Sequence, residues 1–77
     1  MDDIEADKFQ LYPNPTLDNI QIKTDFKIDN IEIIDNSGNI VLQTEKNDLN
    51  ISSLATGVYF VRIYSDNQII MKKIVKE

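Results

Sequence analysis

Few side chains in this chain are suited to catalysis. The 77 residues include no histidine and no cysteine, so an imidazole base, a thiolate nucleophile and two common metal ligands are absent. A serine nucleophile would need an adjacent base, and the carboxylates are scattered over predicted turns and outward strand positions, where hydration explains them. The serines fall in predicted turns or at strand ends, at Ser37, Ser52, Ser53 and Ser65. The sequence therefore predicts a protein that is not an enzyme and that needs no cofactor.

A metal site is not indicated either. Asp35-Asn36-Ser37-Gly38 resembles the opening of a calcium-binding loop, because it places oxygen ligands before a glycine. It lacks the length of such a loop and the bidentate glutamate that closes it. A hairpin turn with Gly38 at a positive φ is the better interpretation.

The charge of the chain is uneven. The formal net charge is −5, yet residues 58–77 carry four cationic and two acidic side chains, a local charge of +2. An acidic domain is a poor general binder of nucleic acid, because phosphate contacts need clustered lysine and arginine. The basic end has two interpretations: it contacts an acidic receptor or anionic surface, or it is a last strand whose charges face water.

The N-terminal residues leave two interpretations, a cytosolic protein or a piece of a longer protein, and favour the second. Residues 1–7 are acidic with almost nothing apolar and are interpreted as a linker remnant, whereas residues 8–77 form one small domain. Met1-Asp2-Asp3 lacks the basic start and apolar run of a secretory signal. No apolar stretch approaches the roughly 20 residues that span a bilayer. We expect an N-terminal domain missing from this chain, and no membrane insertion.

The elements that position these residues are strands. Ile20 and Ile22 alternate with Gln21 and Lys23, and the same period of two recurs along the chain, rich in Val, Ile, Tyr and Phe, which is typical of half-buried strands. Seven strands are predicted, at about residues 8–12, 19–24, 28–35, 39–45, 48–51, 57–65 and 68–76. This spacing favours an all-β fold, a seven-stranded immunoglobulin-like β-sandwich of two antiparallel sheets. An open barrel is the alternative.

Turn and corner residues support this interpretation. Asp66-Asn67 predicts a hairpin turn between the last two strands. Tyr59 follows Gly57 at the start of a core strand, where a tyrosine can hydrogen-bond to upstream backbone and fix the crossover; Leu54 can fill the core below it. The apolar runs 40–42 and 69–71 leave open which face of their strands is buried.

The segment Tyr12-Pro13-Asn14-Pro15 is marked by its two prolines. Each proline lacks an N–H, and each pushes the residue before it toward extended geometry. Asn14 is therefore predicted to be extended or in a turn. By themselves, the prolines are explained as the end of an edge strand that is protected from pairing with other chains.

The ordered set of motifs resembles the C-terminal sorting domain of type IX secretion cargo, over about residues 9–77. The motifs are Tyr12-Pro13-Asn14-Pro15, Asp35-x-x-Gly38-x-x-Val41, Leu54-x-x-Gly57-Val58-Tyr59-Phe60-Val61 and Lys73-Ile74-Val75. The resemblance implies an immunoglobulin-like sandwich at the C-terminal end of a larger exported protein of a Gram-negative bacterium. Ile34 stands where the family commonly has an aromatic residue.

The resemblance also implies residue roles, partners and a location. The implied sorting-motif and translocon-recognition residues are Pro13, Asn14, Pro15, Gly38, Gly57, Tyr59, Lys72, Lys73, Ile74, Val75 and Lys76. The implied partners are the type IX outer-membrane translocon and a sortase-like surface protease, which would cut in or upstream of Asp2–Lys8. The protein would pass through the periplasm and then remain at the cell surface or be released. Deletion of Ile74–Glu77 is expected to abolish export and to leave the fold largely intact.

A different class of function remains open. Immunoglobulin-like and fibronectin-like domains also serve as passive accessory modules, as spacers or carbohydrate binders, and the fold alone does not distinguish the two classes. Sugar-binding modules usually expose aromatic side chains. Here only Phe60 and Tyr64, on the second face of their strand, are candidates for such a platform.

Overall fold

The alternating apolar residues fold into seven strands. The computed structural model describes residues 8–12 and 18–77. Its strands are β1 (Gln10–Tyr12), β2 (Asn19–Lys23), β3 (Asn30–Ile34), β4 (Ile40–Thr44), β5 (Asp48–Asn50), β6 (Gly57–Ser65) and β7 (Gln68–Lys76). All seven predicted strands are confirmed, with ends that differ from the prediction by at most two residues.

The strands form two antiparallel sheets, as the predicted sandwich requires. The smaller sheet has the order β1-β2-β5 and the larger one the order β4-β3-β6-β7. Every pair within them is antiparallel. The fourth strand pairs with the third, whereas in constant-type immunoglobulin domains it lies beside the fifth. The sheet order, which the sequence left open, thus assigns β4 to the larger sheet.

The core between the sheets is mainly aliphatic. Because side chains alternate along a strand, every second residue of β2, β3 and β6 points inward. The core residues are Phe9, Ile20, Ile22, Ile31, Ile33, Leu49, Ile51, Tyr59, Val61, Ile63, Ile70 and Ile74. Leu54 packs against them, as expected. Full burial of one such aliphatic side chain stabilises the fold by about 1.5–3 kcal/mol.

The structure resolves both ambiguous apolar runs. In β7, Ile70 is buried, whereas Ile69 and Met71 are 60% and 50% exposed. In β4, the pairing shifts between Ile33–Leu42 and Ile34–Ile40, so that Val41 is the additional residue of a β-bulge. Leu42 is half-buried against the core, and Ile40 and Val41 are exposed.

The predicted turns have the expected backbone. Asp66 and Asn67 have φ values of 52° and 67°, which is the left-handed pair that a two-residue type I′ hairpin needs. Gly38 has φ 93° in the β3–β4 turn. Within the two described ranges, no helix has the length and apolar character needed to cross a membrane.

Candidate functional site

Two of the sequence motifs lie side by side on neighbouring strands. β6 pairs with β7 along its whole length, and the register sets Gly57 opposite Lys76 and Tyr59 opposite Ile74. The two motifs are separated by more than ten residues of sequence, but the Asp66-Asn67 turn folds them together. The terminal motif is therefore held in place by the Gly57–Tyr59 segment, a relation that the separate motifs did not reveal.

Tyr59 occupies the predicted corner position. Its side chain is 7% exposed, and its hydroxyl donates a hydrogen bond of 2.6 Å to the backbone carbonyl of Ala55. The bond joins the start of β6 to the loop that leads into it, as in the tyrosine corner of immunoglobulin-like domains. Tyr59 thus has a structural role in this fold, and its implied role in recognition remains a prediction.

Gly38 lies in the β3–β4 turn, at the end of the larger sheet where β6 begins and β7 ends. This follows from the register, because Ile34, the last residue of β3, pairs with Phe60 near the start of β6. The three motifs of the described residues therefore lie at the same end of one sheet. Their shared position is a consequence of topology and could not be read from their spacing.

The carboxylate of Asp35 organises this turn. Its Oδ1 accepts hydrogen bonds of 2.9 Å from the backbone N–H groups of Asn39 and Ser37. The N–H bond from Asn39 is the main reason that the pKa of Asp35 lies below its usual value, and the Ser37 N–H adds to it. The side chain that resembled a calcium ligand is thus engaged with its own turn.

The three implied lysines of β7 point in different directions. Lys73 is on the exposed face of β7, whereas Lys72 is half-buried and Lys76 is 8% exposed. The last two alternate with Ile70 and Ile74 on the inward face. The interpretation of a last strand whose charges all face water is therefore wrong for Lys72 and Lys76. Inward-pointing lysines on an edge strand oppose pairing with another chain.

Ile74 and Val75 also differ in environment. Ile74 is fully buried in the core, and Val75 is 36% exposed. Ile74 therefore contributes to packing, and only its neighbours present side chains to a partner. The structure does not support the expectation that deletion of Ile74–Glu77 leaves the fold largely intact. The four deleted residues include the core residue Ile74 and the end of β7.

The remaining implied residues, Pro13, Asn14 and Pro15, lie outside the described residues, and so does the acidic segment 1–7.

A polar cluster on the outer face of the larger sheet was missed at the level of sequence. Arg62 Nη1 lies 3.0 Å from Glu32 Oε1 and forms an ion pair. The Tyr64 hydroxyl donates to the same Glu32 oxygen at 3.0 Å, and Arg62 Nη1 donates to the Tyr64 hydroxyl at 3.1 Å. The hydrogen bond to Tyr64 is the main reason that the pKa of Arg62 is raised, and the charge of Glu32 makes a smaller contribution. The alternation of β6 placed Arg62 and Tyr64 on one face, but only the β3–β6 register brings Glu32 to them.

The smaller sheet carries a shallow polar cavity of ≈ 340 Å³. It is lined by Tyr12, Gln21, Ile22, Lys23, Thr24, Asn47 and Asp48. Tyr12 is 46% exposed there. Tyr12, rather than Phe60 or Tyr64, is thus the more exposed aromatic side chain, because Phe60 and Tyr64 are half-buried and the Tyr64 hydroxyl is engaged. In the part of the chain that the structure describes, no three acidic side chains are grouped so as to hold a metal ion.

Comparison with known proteins gives one match. A family model described as a secretion system C-terminal sorting domain matches residues 10–77, nearly the whole chain and all seven strands. No curated protein matches the chain.

Proposed function

Because the chain belongs to the family of secretion-system C-terminal sorting domains, we propose that it is the signal by which a type IX translocon carries a larger cargo across the outer membrane. The signal is non-catalytic in this proposal, and the cargo precedes residue 1 in the full-length protein. The match over residues 10–77 is the observation that carries the proposal. The family is a class of sorting signals and not a known class of enzymes.

The finer steps belong to the same proposal. The cargo reaches the periplasm by a separate N-terminal signal, and the translocon then recognises the folded domain. A sortase-like surface protease cuts in or upstream of Asp2–Lys8, and the cargo stays at the cell surface or is released. The recognition residues are the eleven that the resemblance implies, of which Lys73 and Val75 present exposed side chains on β7.

The geometry supports a rigid signal. A recognition element works best when the scaffold holds its side chains in one arrangement. The terminal motif is paired with β6 up to Lys76, and Tyr59 fixes the corner from which β6 starts. Contact through the exposed side chains of β7 fits better than the addition of a translocon strand beside it, because the inward-pointing Lys72 and Lys76 oppose pairing at this edge of the larger sheet.

An export assay tests the function. A fluorescent reporter with an inner-membrane export signal is fused to residues 1–77 and produced in a host with a type IX system. We expect reporter outside the cell only when the domain is present and the translocon is intact. The controls are the reporter alone and the same fusion in a translocon-deficient strain.

The terminal motif is tested by the variant Lys73→Ala with Val75→Thr, which replaces exposed side chains and retains the buried Ile74. We expect retention of this fusion in the periplasm. If the fusion to the unsubstituted domain is folded but stays in the periplasm, the passive accessory module becomes the better interpretation.

A further inference from the structure

Exposed apolar side chains are concentrated on the larger sheet. Eight large hydrophobic residues are exposed among the described residues, and six of them lie on strands of this sheet: Ile40, Val41, Val58, Ile69, Met71 and Val75. Single exposed hydrophobic residues are normal on a monomer, whereas a contiguous patch marks an interaction site. The exposed apolar side chains of the larger sheet are therefore the part of the surface that most clearly indicates a binding partner.

The strand register makes these residues contiguous. Val58 is opposite Val75, Tyr64 is opposite Ile69, and Arg62 is opposite Met71. On the other side of β6, Ile34 joins Phe60 to Ile40. The resulting surface, which we call the outer face, extends from β4 to β7 and exposes apolar area on the order of 500 Å², at the upper end for a monomer.

The composition of the outer face is that of a protein interface. Interface centres are enriched in aromatic residues, methionine and arginine and are depleted of other charges. Here Phe60, Met71 and Tyr64 surround Arg62, whose charge is already balanced by Glu32 at 3.0 Å. Because Glu32 is only 12% exposed, much of the desolvation of this pair is complete before any partner binds.

The charge beside the outer face indicates what a partner should carry. The segment that contains β6 and β7 has a local charge of +2 within a chain of net charge −5. Of its three lysines, all on β7, Lys73 lies on the exposed face of the strand, whereas Lys72 and Lys76 point inward. A complementary surface is apolar where it meets the sheet and acidic where it meets Lys73.

We propose that the outer face is the docking surface for a protein of the export machinery, one that presents an apolar surface with a carboxylate where it meets Lys73. The proposal rests on the proposed function and identifies which surface of the domain is recognised. Three of its residues, Phe60, Ile69 and Met71, lie outside the terminal motif and its flanking lysines.

A second copy of the chain fits this face less well. Four strands about 4.8 Å apart and up to nine residues long cover roughly 600 Å². That is below the roughly 800 Å² per partner of a standard stable interface, so the face suits a transient contact, as a sorting signal makes with its receptor, better than a stable dimer.

A lipid surface also fits less well. Contact with hydrocarbon would bury the ion pair of Arg62 and Glu32 in a medium that offers no hydrogen bonds to it. The net charge of −5 would be repelled by an anionic leaflet. A protein partner can supply polar groups at the positions that this cluster requires.

The test compares two double variants in the export assay. The outer-face variant is Ile69→Thr with Met71→Thr, because threonine retains a high strand propensity while the apolar contact is removed. The matched control is Gln10→Thr with Gln21→Thr, at exposed strand positions of the smaller sheet. Thermal unfolding of the purified 77-residue chains establishes that each variant is folded, and Ile69→Thr alone replaces the double variant if that variant unfolds early.

We expect extracellular reporter to fall at least about tenfold for the outer-face variant, as a loss of about 1.4 kcal/mol of binding implies, and to stay at the wild-type level for the control. Export of the folded outer-face variant at the wild-type level would overturn the docking surface and leave the sorting function standing. A wild-type fusion that is not exported would overturn the sorting function itself, and the docking proposal with it.

Two measurements on the purified chain test the other occupants. Sedimentation velocity at micromolar concentration should give a monomer, and flotation with vesicles of phosphatidylethanolamine and phosphatidylglycerol should leave the chain unbound. A dimer, or vesicle binding, that the outer-face variant abolishes would overturn the proposed partner in favour of a second copy or of lipid.

Discussion

The single side chain of Tyr59 connects the core of this small domain to the loop that precedes β6. Its ring is in the core, and its hydroxyl satisfies the Ala55 carbonyl in the loop before β6. Because Tyr59 is buried, a hydroxyl without a partner would be costly there, so this bond matters beyond its own net strength. Ser65 acts similarly at the other end of β6, where its buried hydroxyl donates to the carbonyl of Lys27 at 2.5 Å. Both ends of the longest inner strand are thus tied to neighbouring loops.

Two substitutions distinguish the contribution of the Tyr59 ring to stability from that of its hydroxyl. Tyr59→Phe should lower the free energy of unfolding by about 0.5–1.5 kcal/mol, the net value of one hydrogen bond. Tyr59→Ala should lower it by about 3–5 kcal/mol, because the ring is lost from the core as well. Urea unfolding measures both values. Equal stability of wild type and Tyr59→Phe would contradict the corner role of the hydroxyl.

At the scale of elements, the hairpin turns set the register that brings the motifs together. The left-handed residues Asp66 and Asn67 let β7 fold back directly on β6, which places Ile74 opposite Tyr59. Asp35 and Gly38 shape the turn between β3 and β4, in which the Asp35 carboxylate accepts hydrogen bonds from two backbone N–H groups. These turns need particular residue types, because a turn requires a positive φ or a side chain that hydrogen-bonds to the turn backbone.

The Asp35 turn should weaken in acid. Its folded-state pKa is lowered, so the charged carboxylate favours the folded state above the unfolded-state pKa of about 3.9, and this contribution disappears as the pH falls through the folded-state pKa. Asp35→Asn should therefore be less stable than wild type at pH 7 and approach it below about pH 4. Thermal unfolding between pH 7 and pH 2.5 measures this.

The matched control for the turn is Asp48→Asn, at an exposed position of β5. It should follow the wild-type curve throughout. A constant difference between wild type and Asp35→Asn at all pH values would show that the charge of Asp35 does not stabilise the turn.

At the scale of the whole molecule, two sheets are held together by an aliphatic core without a disulfide, since the chain contains no cysteine. A domain of this size has a free energy of unfolding of roughly 4–11 kcal/mol, so the loss of one core side chain is a large part of the total. The outer face of the larger sheet contributes little to this core and is free to serve recognition. Stability and recognition are therefore separated by the two faces of one sheet.

The same substitution on the two faces of β7 tests this separation. Ile74→Ala should lower the free energy of unfolding by about 2–5 kcal/mol, because Ile74 is fully buried. Ile69→Ala should change it by less than about 0.5 kcal/mol, because Ile69 is 60% exposed. Urea unfolding of the two variants gives the comparison. Similar losses for both would mean that the two faces are not separate.

Local physical chemistry made much of this fold predictable. A period of two in residues such as Ile20 and Ile22 reflects the alternation of side chains along a strand, and the Asp66-Asn67 turn reflects a backbone preference of these residue types. Both depend only on near neighbours in the chain, so the seven strands and their turns followed from the sequence. The motifs were likewise ordered in sequence, and they carried the resemblance to sorting domains.

Pairing between distant segments decided the rest. The position of β4 beside β3, the meeting of Glu32 with Arg62, and the inward direction of Lys72 and Lys76 all depend on sheet order and register. A shift of one residue would exchange the two faces of any strand, and continuous apolar runs such as 69–71 do not specify which register is used. The alternation of polar and apolar residues thus determined that the chain forms an all-β fold. Only tertiary packing decided that its strands divide into two sheets, and which of its apolar residues form the core and which form the outer face.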